Sequence, residues 1–84
     1  MNERAIYAEL VGILGRYARA GARLGPEADL ARDLLLDSLA RMSLVVEVED
    51  HFHVSFDEAD DAGVQRVGDL VRLIARRTQD RAAP

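Results

Sequence analysis

The sequence predicts an all-α protein: a small four-helix bundle in which the third helix is short and a long loop joins the first two helices. Apolar residues recur at helical spacing in three separate segments. Residues typical of helix starts and ends flank those segments, and no segment is a convincing strand. An 84-residue chain is expected to form one domain, which we place at residues 1–78, followed by a frayed tail at residues 79–84.

The first helix is predicted to begin after Asn2, which suits an N-cap, and to stop at Gly21. The residues that recur on its inward stripe are Ile6, Leu10, Ile13, Leu14 and Tyr17. Residues 20–36 contain Gly21, Gly25 and Pro26 and are predicted to form the long loop. We expect this loop to include a helical turn within residues 29–36 and to be anchored to the core by Leu24, Leu30 and Leu34.

The second helix is predicted from Asp37-Ser38 to about His51, with Asp37 as its N-cap. Its inward side chains are Leu44, Val48 and Phe52. The β-branched residues between positions 44 and 48 leave a strand as the alternative there, but the charged neighbours favour a helix.

Two more helices are predicted in the C-terminal third. Ser55 and Glu58 match a capping box for a short helix that ends before Gly63. The last helix is predicted to begin near Val67 and to bury Val67, Leu70, Val71 and Ile74. Because Arg66 occupies its capping position, this helix is expected to lack a side-chain cap, a loss of about 1 kcal/mol.

Composition excludes several classes of function. The chain has no Cys, which excludes disulfides, Cys-based zinc sites and thiol chemistry by its own side chains. Its net charge is −4, and residues 29–61 alone carry −8, which argues against nucleic acid as a partner. It has neither a signal-peptide pattern nor an apolar run long enough to span a membrane. We therefore expect a cytoplasmic protein that uses no metal and is not an enzyme.

Ser38 is the candidate reactive residue of this sequence. It stands where the loop enters the second helix, and a helix N-terminus accommodates a phosphate group well. No neighbouring side chain qualifies as a base that would activate its hydroxyl. If Ser38 reacts, a separate enzyme must therefore activate it.

Four short motifs occur in the order seen in acyl carrier proteins. They are Leu30-Ala31-Arg32-Asp33-Leu34, then Asp37-Ser38-Leu39, then Glu49-Asp50-His51-Phe52, and finally Val67-Gly68-Asp69. The chain resembles the acyl carrier protein family over nearly its whole length, most strongly over residues 29–74. This resemblance implies a carrier that bears 4′-phosphopantetheine on Ser38, flanked by Asp37 and Leu39. It implies a phosphopantetheinyl transferase as one partner, with a ligase, acyltransferase or ketosynthase to load and process acyl thioesters.

The chain departs from the family pattern at Leu35, where Gly is usual. We expect Leu35 either to pack inward or to join a partner surface, and to need a different backbone from a Gly with positive φ. The second helix also lacks the usual acids in its first half. We expect it to present an apolar strip of Leu39, Met42 and Val46, edged by Arg41, Glu47 and Asp50. For Met42, filling the core remains an equal alternative.

Several interpretations stay open at this point. The absence of Lys and the atypical second helix favour a carrier in polyketide or other specialised-metabolite biosynthesis. We expect this carrier to be a monomer. A carrier of housekeeping fatty-acid synthesis is one alternative. An unmodified, carrier-like helical interaction module is another.

Overall fold

Four α-helices make up the fold in a computed structural model that describes residues 1–82. They are α1 (Glu3–Tyr17), α2 (Ser38–Phe52), the short α3 (Glu58–Ala62) and α4 (Val67–Ala82). The predicted all-α architecture with a short third helix is confirmed. Within the described part of the chain, no helix is both long and apolar enough to cross a membrane.

The inward stripes predicted from the sequence form the core. α1 packs against both α2 and α4. The buried side chains include Ile6, Leu10, Ile13 and Leu14 from α1, Leu44, Val48 and Phe52 from α2, and Val67, Leu70, Val71 and Ile74 from α4. Leu30 and Leu34 of the long loop are also buried, whereas Leu24 and Tyr17 are partly buried against this core.

The predicted start of α1 is confirmed, but the predicted end is wrong. The Asn2 side chain accepts a hydrogen bond from the N–H of Ala5 at 2.8 Å. The helix stops at Tyr17, because Ala18 adopts an extended backbone and the N–H of Arg19 donates to the carbonyl of Leu34 at 3.1 Å. Gly21, with φ of 79°, lies in a later turn of the loop. A contact across the fold, absent from the local sequence, ends this helix.

The cap of α3 also differs from the prediction. Asp57 caps the helix and forms a capping box with Asp60, so Ser55 is not the cap. The N–H of Phe56 donates to the Glu49 carboxylate at 2.8 Å, and the Phe56 ring packs on the core. These contacts keep the chain extended as far as Asp57, and the helix begins two residues later than the Ser55 box predicted.

The first turn of α4 is stabilised without a contribution from the Arg66 side chain. The N–H groups of Val67 and Gly68 donate to the loop carbonyls of Ala28 and Pro26 at 3.0 and 2.8 Å. The Asp69 carboxylate accepts from the N–H of Arg66 at 2.9 Å. Carbonyls of the long loop are therefore the acceptors at a helix start for which we expected no side-chain cap. At its other end α4 extends through Ala82, into the segment expected to fray, whereas residues 83–84 of that predicted tail lie outside the described residues.

Asp29 joins the long loop to the start of α4. It is 9% exposed. Its carboxylate accepts from the N–H groups of Ala31 and Arg32, both at 2.9 Å, and from the Gln65 side chain at 3.0 Å. The N–H of Asp33 bonds to the Asp29 carbonyl at 2.9 Å, which closes the single helical turn predicted here. These bonds hold the segment before α2 against α4.

We expect the protein to be less stable in acid, because protonation of the Asp29 carboxylate removes the stabilisation that its hydrogen bonds provide. The hydrogen bond from the N–H of Arg32, followed by that from Gln65, lowers the pKa of the Asp29 carboxyl below its ordinary 3.8. A lowered pKa means that the stabilisation is complete above the unfolded-state pKa and disappears as pH falls through the folded-state value. Urea unfolding at pH 7 and at pH 3 measures it. Asp29→Asn should lose stability at pH 7 and show a smaller difference between the two pH values than wild type, and equal differences would contradict this account.

Candidate functional site

Three consecutive leucines lead the chain into α2, and they have different environments. Leu34 and Leu36 are buried at 0% and 7% exposure, whereas Leu35 is 62% exposed. Leu35 has φ of 58°, in the left-handed region. The expectation that Leu would need a backbone different from that of a positive-φ Gly is therefore wrong. The conformation costs about 1–2 kcal/mol for a residue with a Cβ, and it is held because both neighbouring leucines are buried.

Ser38 is the first residue of α2 and is exposed to solvent. Asp37 caps the helix as predicted: its carboxylate accepts from the N–H of Ala40 at 2.8 Å, and its carbonyl accepts from the N–H of Arg41 at 2.9 Å. Among residues 1–82, no group accepts from the N–H of Ser38 or Leu39. Free N–H groups at the positive end of a helix favour a phosphate. The Ser38 hydroxyl is thus accessible and stands where a phosphodiester would be well accommodated.

Exposed apolar side chains lie close to Ser38 in the chain and on α2. Leu39, Met42 and Val46 are 73%, 66% and 64% exposed. Leu35 extends this set just before the helix begins. We call these four residues the apolar patch. The sequence left two alternatives for Met42 and two for Leu35. In the structure Met42 does not fill the core, and Leu35 does not pack inward. Contiguous exposed apolar side chains are typical of a surface that binds a partner.

The charged residues expected at the edges of this patch differ in whether their side chains are bonded to the rest of the bundle. The Glu47 carboxylate accepts from the Tyr17 hydroxyl at 2.6 Å and pairs with Arg16. The Arg41 guanidinium bonds to the Val64 carbonyl at 2.6 Å. Asp50 is exposed, and no partner for its carboxylate is found among the side chains that the structure describes. Glu47 and Arg41 therefore hold α2 in the bundle. Of the three charged side chains, Asp50 is the one without a partner among the described side chains.

An apolar cleft of about 350 Å³ opens beside Ser38. Ser38 itself lines the cleft, together with Arg41, Met42, Val45, Val46 and Asp61. The sequence placed Met42 and Val46 beside Ser38, but it did not show that Asp61 of α3 completes the cleft. No local pattern pairs residues 20 positions apart (the 3.4 Å contact of Arg41 with Asp61). Folding therefore places an apolar recess directly beside Ser38.

The described part of the chain offers no metal site. No group of three or more His, Asp and Glu side chains converges within residues 1–82. His51 is exposed, and its Nε2 lies 2.8 Å from the Glu9 carboxylate of α1. Within the described residues, the site therefore offers a hydroxyl at a helix N-terminus, next to a mostly apolar cleft that Arg41 and Asp61 also line.

Comparisons with known proteins agree with this geometry. A family model described as a phosphopantetheine attachment site matches residues 4–74. A probable acyl carrier protein of Caulobacter vibrioides is 38% identical over 74 residues, which cover 88% of this chain and 81% of that protein. In a meromycolate extension acyl carrier protein of Mycobacterium tuberculosis, the match is 32% identical over 59 residues, 70% of this chain and 51% of the relative.

The fold has a solved counterpart. The crystal structure of a mitochondrial acyl carrier protein of Toxoplasma superposes with a TM-score of 0.80 at 20% identity, over 99% of this chain and 94% of the other. At that identity the likeness concerns the fold alone.

The fold and the family match define a phosphopantetheine-bearing carrier, a class that transports reactive groups and does not catalyse. The chain belongs to the acyl carrier protein family. Its cofactor is a covalently attached 4′-phosphopantetheine, and it is a carrier, not an enzyme. Its partners include a phosphopantetheinyl transferase and enzymes that process acyl groups.

Proposed function

We propose that Ser38 is the attachment point of the phosphopantetheine, and that this chain presents acyl groups to partner enzymes as a monomeric carrier. The observation that supports this most directly is the position of Ser38: exposed, first in α2, and beside two backbone N–H groups that no group in the described part of the chain engages. When bound, the prosthetic group supplies the thiol that holds acyl groups as thioesters. The free N–H groups of Ser38 and Leu39 would hold the phosphate end of the attached group. Before attachment, the exposed Ser38 hydroxyl is open to a transferase.

The test is direct modification of the purified chain. Incubation with coenzyme A, magnesium and a broad phosphopantetheinyl transferase should add the mass of one phosphopantetheinyl group, and peptide mapping should locate it on residue 38. A chain that stays unmodified under these conditions would support an unmodified interaction module instead.

We propose that the apolar patch, with Asp50 at its margin, is the surface that partner enzymes contact. Leu39, Met42 and Val46 adjoin Ser38, and apolar side chains at the centre of an interface contribute most of the affinity. Exposed charges such as Asp50 mainly raise the association rate. Arg41 and Glu47 support the patch from its two sides through their bonds to the rest of the bundle.

We expect Val46→Asp to lower kcat/KM for phosphopantetheine transfer by about tenfold, because burial of a Val side chain in an interface contributes about 1.5 kcal/mol. The fold should be unaffected, since Val46 is 64% exposed. The matched control is Ala8→Asp, which adds the same charge at an exposed position of α1. Transfer kinetics for both variants that match wild type would show that partners do not contact Val46.

We propose a role in polyketide or other specialised-metabolite biosynthesis. The supporting feature is α2, whose first half carries Ala40, Arg41, Met42 and Ser43 in place of acids. A fatty-acyl extension pathway is the alternative, favoured by the match to relatives named as meromycolate extension carriers. Loading assays with ketosynthases from both kinds of pathway, measured by intact mass, distinguish the two.

A further inference from the structure

A second, much smaller void lies beneath the cleft beside Ser38. Its volume is about 10 Å³, and its apolar lining includes Leu44, Phe56, Leu70 and Leu73. A space of this size is at the lower limit for a single water molecule. This space is therefore too small to hold an acyl chain, although an apolar cleft of about 350 Å³ opens next to it.

Three residues line both the cleft and the void, and so form the wall between them. They are Arg41, Val45 and Asp61. Arg41 closes this wall with one nitrogen: its Nη2 donates to the Val64 carbonyl at 2.6 Å, to the Asp61 carbonyl at 3.1 Å and to the Asp61 carboxylate at 3.4 Å. These bonds connect α2 to the end of α3, at Asp61, and to the segment that follows it, at Val64.

A chain passing from the cleft to the interior must displace this guanidinium. The hydrogen bonds it would break involve a charged group, which makes them stronger than neutral ones. The displaced guanidinium cannot move into the apolar interior, because an unpaired charge is costly there. The barrier to an alkyl chain is therefore an anchored charge as well as close packing.

We propose that Arg41 determines where the acyl chain lies, an inference that rests on the proposed function. It confines the chain to the outer cleft, against Met42 and Val46, and excludes it from the interior. Cargo held in this way stays within reach of partner enzymes at the apolar patch. The class it suits is short acyl groups, which fit the cleft and gain nothing from a deeper pocket.

The experiment compares acyl chains of two lengths in wild type and in Arg41→Ala. A broad transferase attaches the acyl-phosphopantetheine from butyryl- or decanoyl-coenzyme A. In Arg41→Ala, decanoyl should raise Tm above that of the butyryl form by about 4 °C or more, a shift typical of 1 kcal/mol in a domain of this size. In wild type the two Tm values should agree within about 1 °C. Arg32→Ala, which removes an exposed loop guanidinium, is the matched control and should behave as wild type.

Nuclear Overhauser contacts locate the chain directly. The terminal methyl of decanoyl should contact Met42 and Val46 in wild type, and Leu70 and Leu73 in Arg41→Ala. Arg41→Met keeps the side-chain bulk without the charge, and it tests the same point if the Ala variant does not fold. Contacts of the wild-type decanoyl chain with Leu70 and Leu73, or equal results in wild type and the variants, overturn the inference. A chain that accepts no acyl-phosphopantetheine refutes the proposed function, and this inference with it.

Discussion

Ser38→Ala is expected to abolish phosphopantetheine attachment completely. The phosphodiester requires a hydroxyl oxygen at this position, and no other side chain in the first turn of α2 carries a hydroxyl. The fold should be retained, because Ser38 is exposed and Asp37, not Ser38, caps the helix. Intact-mass measurement after incubation with coenzyme A and a transferase should show no gain in mass, while circular dichroism matches wild type.

Ser43→Ala is the matched control, because Ser43 is exposed on the same helix, one and a half turns further on. It should acquire one group as efficiently as wild type. Retention of the modification in Ser38→Ala would move the attachment point to another residue. Loss of it in Ser43→Ala would show that the helix as a whole, and not the hydroxyl of residue 38, controls the reaction.

Leu34→Ala is expected to destabilise the protein by about 2–5 kcal/mol, the range for truncating a fully buried leucine. Leu34 is 0% exposed and lies in the loop, yet it contributes to the same core as the helices. A loss of this size is a large part of the stability of a small domain. Urea unfolding followed by circular dichroism measures it.

Leu35→Ala, at the adjacent position, should change the stability by no more than about 0.5 kcal/mol, because Leu35 is 62% exposed. Ala has a Cβ too, so the cost of the left-handed backbone is the same in both. A loss in Leu35→Ala as large as that in Leu34→Ala would show that Leu35 packs on the core. That result would also remove it from the apolar patch.

The structural core and the environment of Ser38 were predictable because their signals are local. Helical periodicity predicted which side chains of each helix face inward, and the buried residues of α1, α2 and α4 confirm it. Asp37 next to Ser38 predicted a capped helix start, because an N-cap depends on its side chain and the N–H groups of the next turn. The exposure of Leu39 and Val46 followed from the same periodicity.

The incorrect predictions involve contacts between distant segments. The end of α1 at Tyr17 depends on the bond between Arg19 and Leu34, and the cap of α3 depends on the bond between Phe56 and Glu49. The first turn of α4 depends on carbonyls of the long loop. Local capping rules pointed to Gly21 and Ser55, because they include none of these partners.

By itself, the sequence determined the helical class, the inward faces and the place of Ser38, since each depends on residues within a few positions of one another. Only the tertiary structure decided that Leu35 takes a left-handed backbone and that Arg41 closes the wall between cleft and interior. The left-handed backbone is stable because burial of Leu34 and Leu36 offsets its strain. The position of Arg41 is set by acceptors on Asp61 and Val64, which only the packing of α2 against the α3–α4 segment brings within reach.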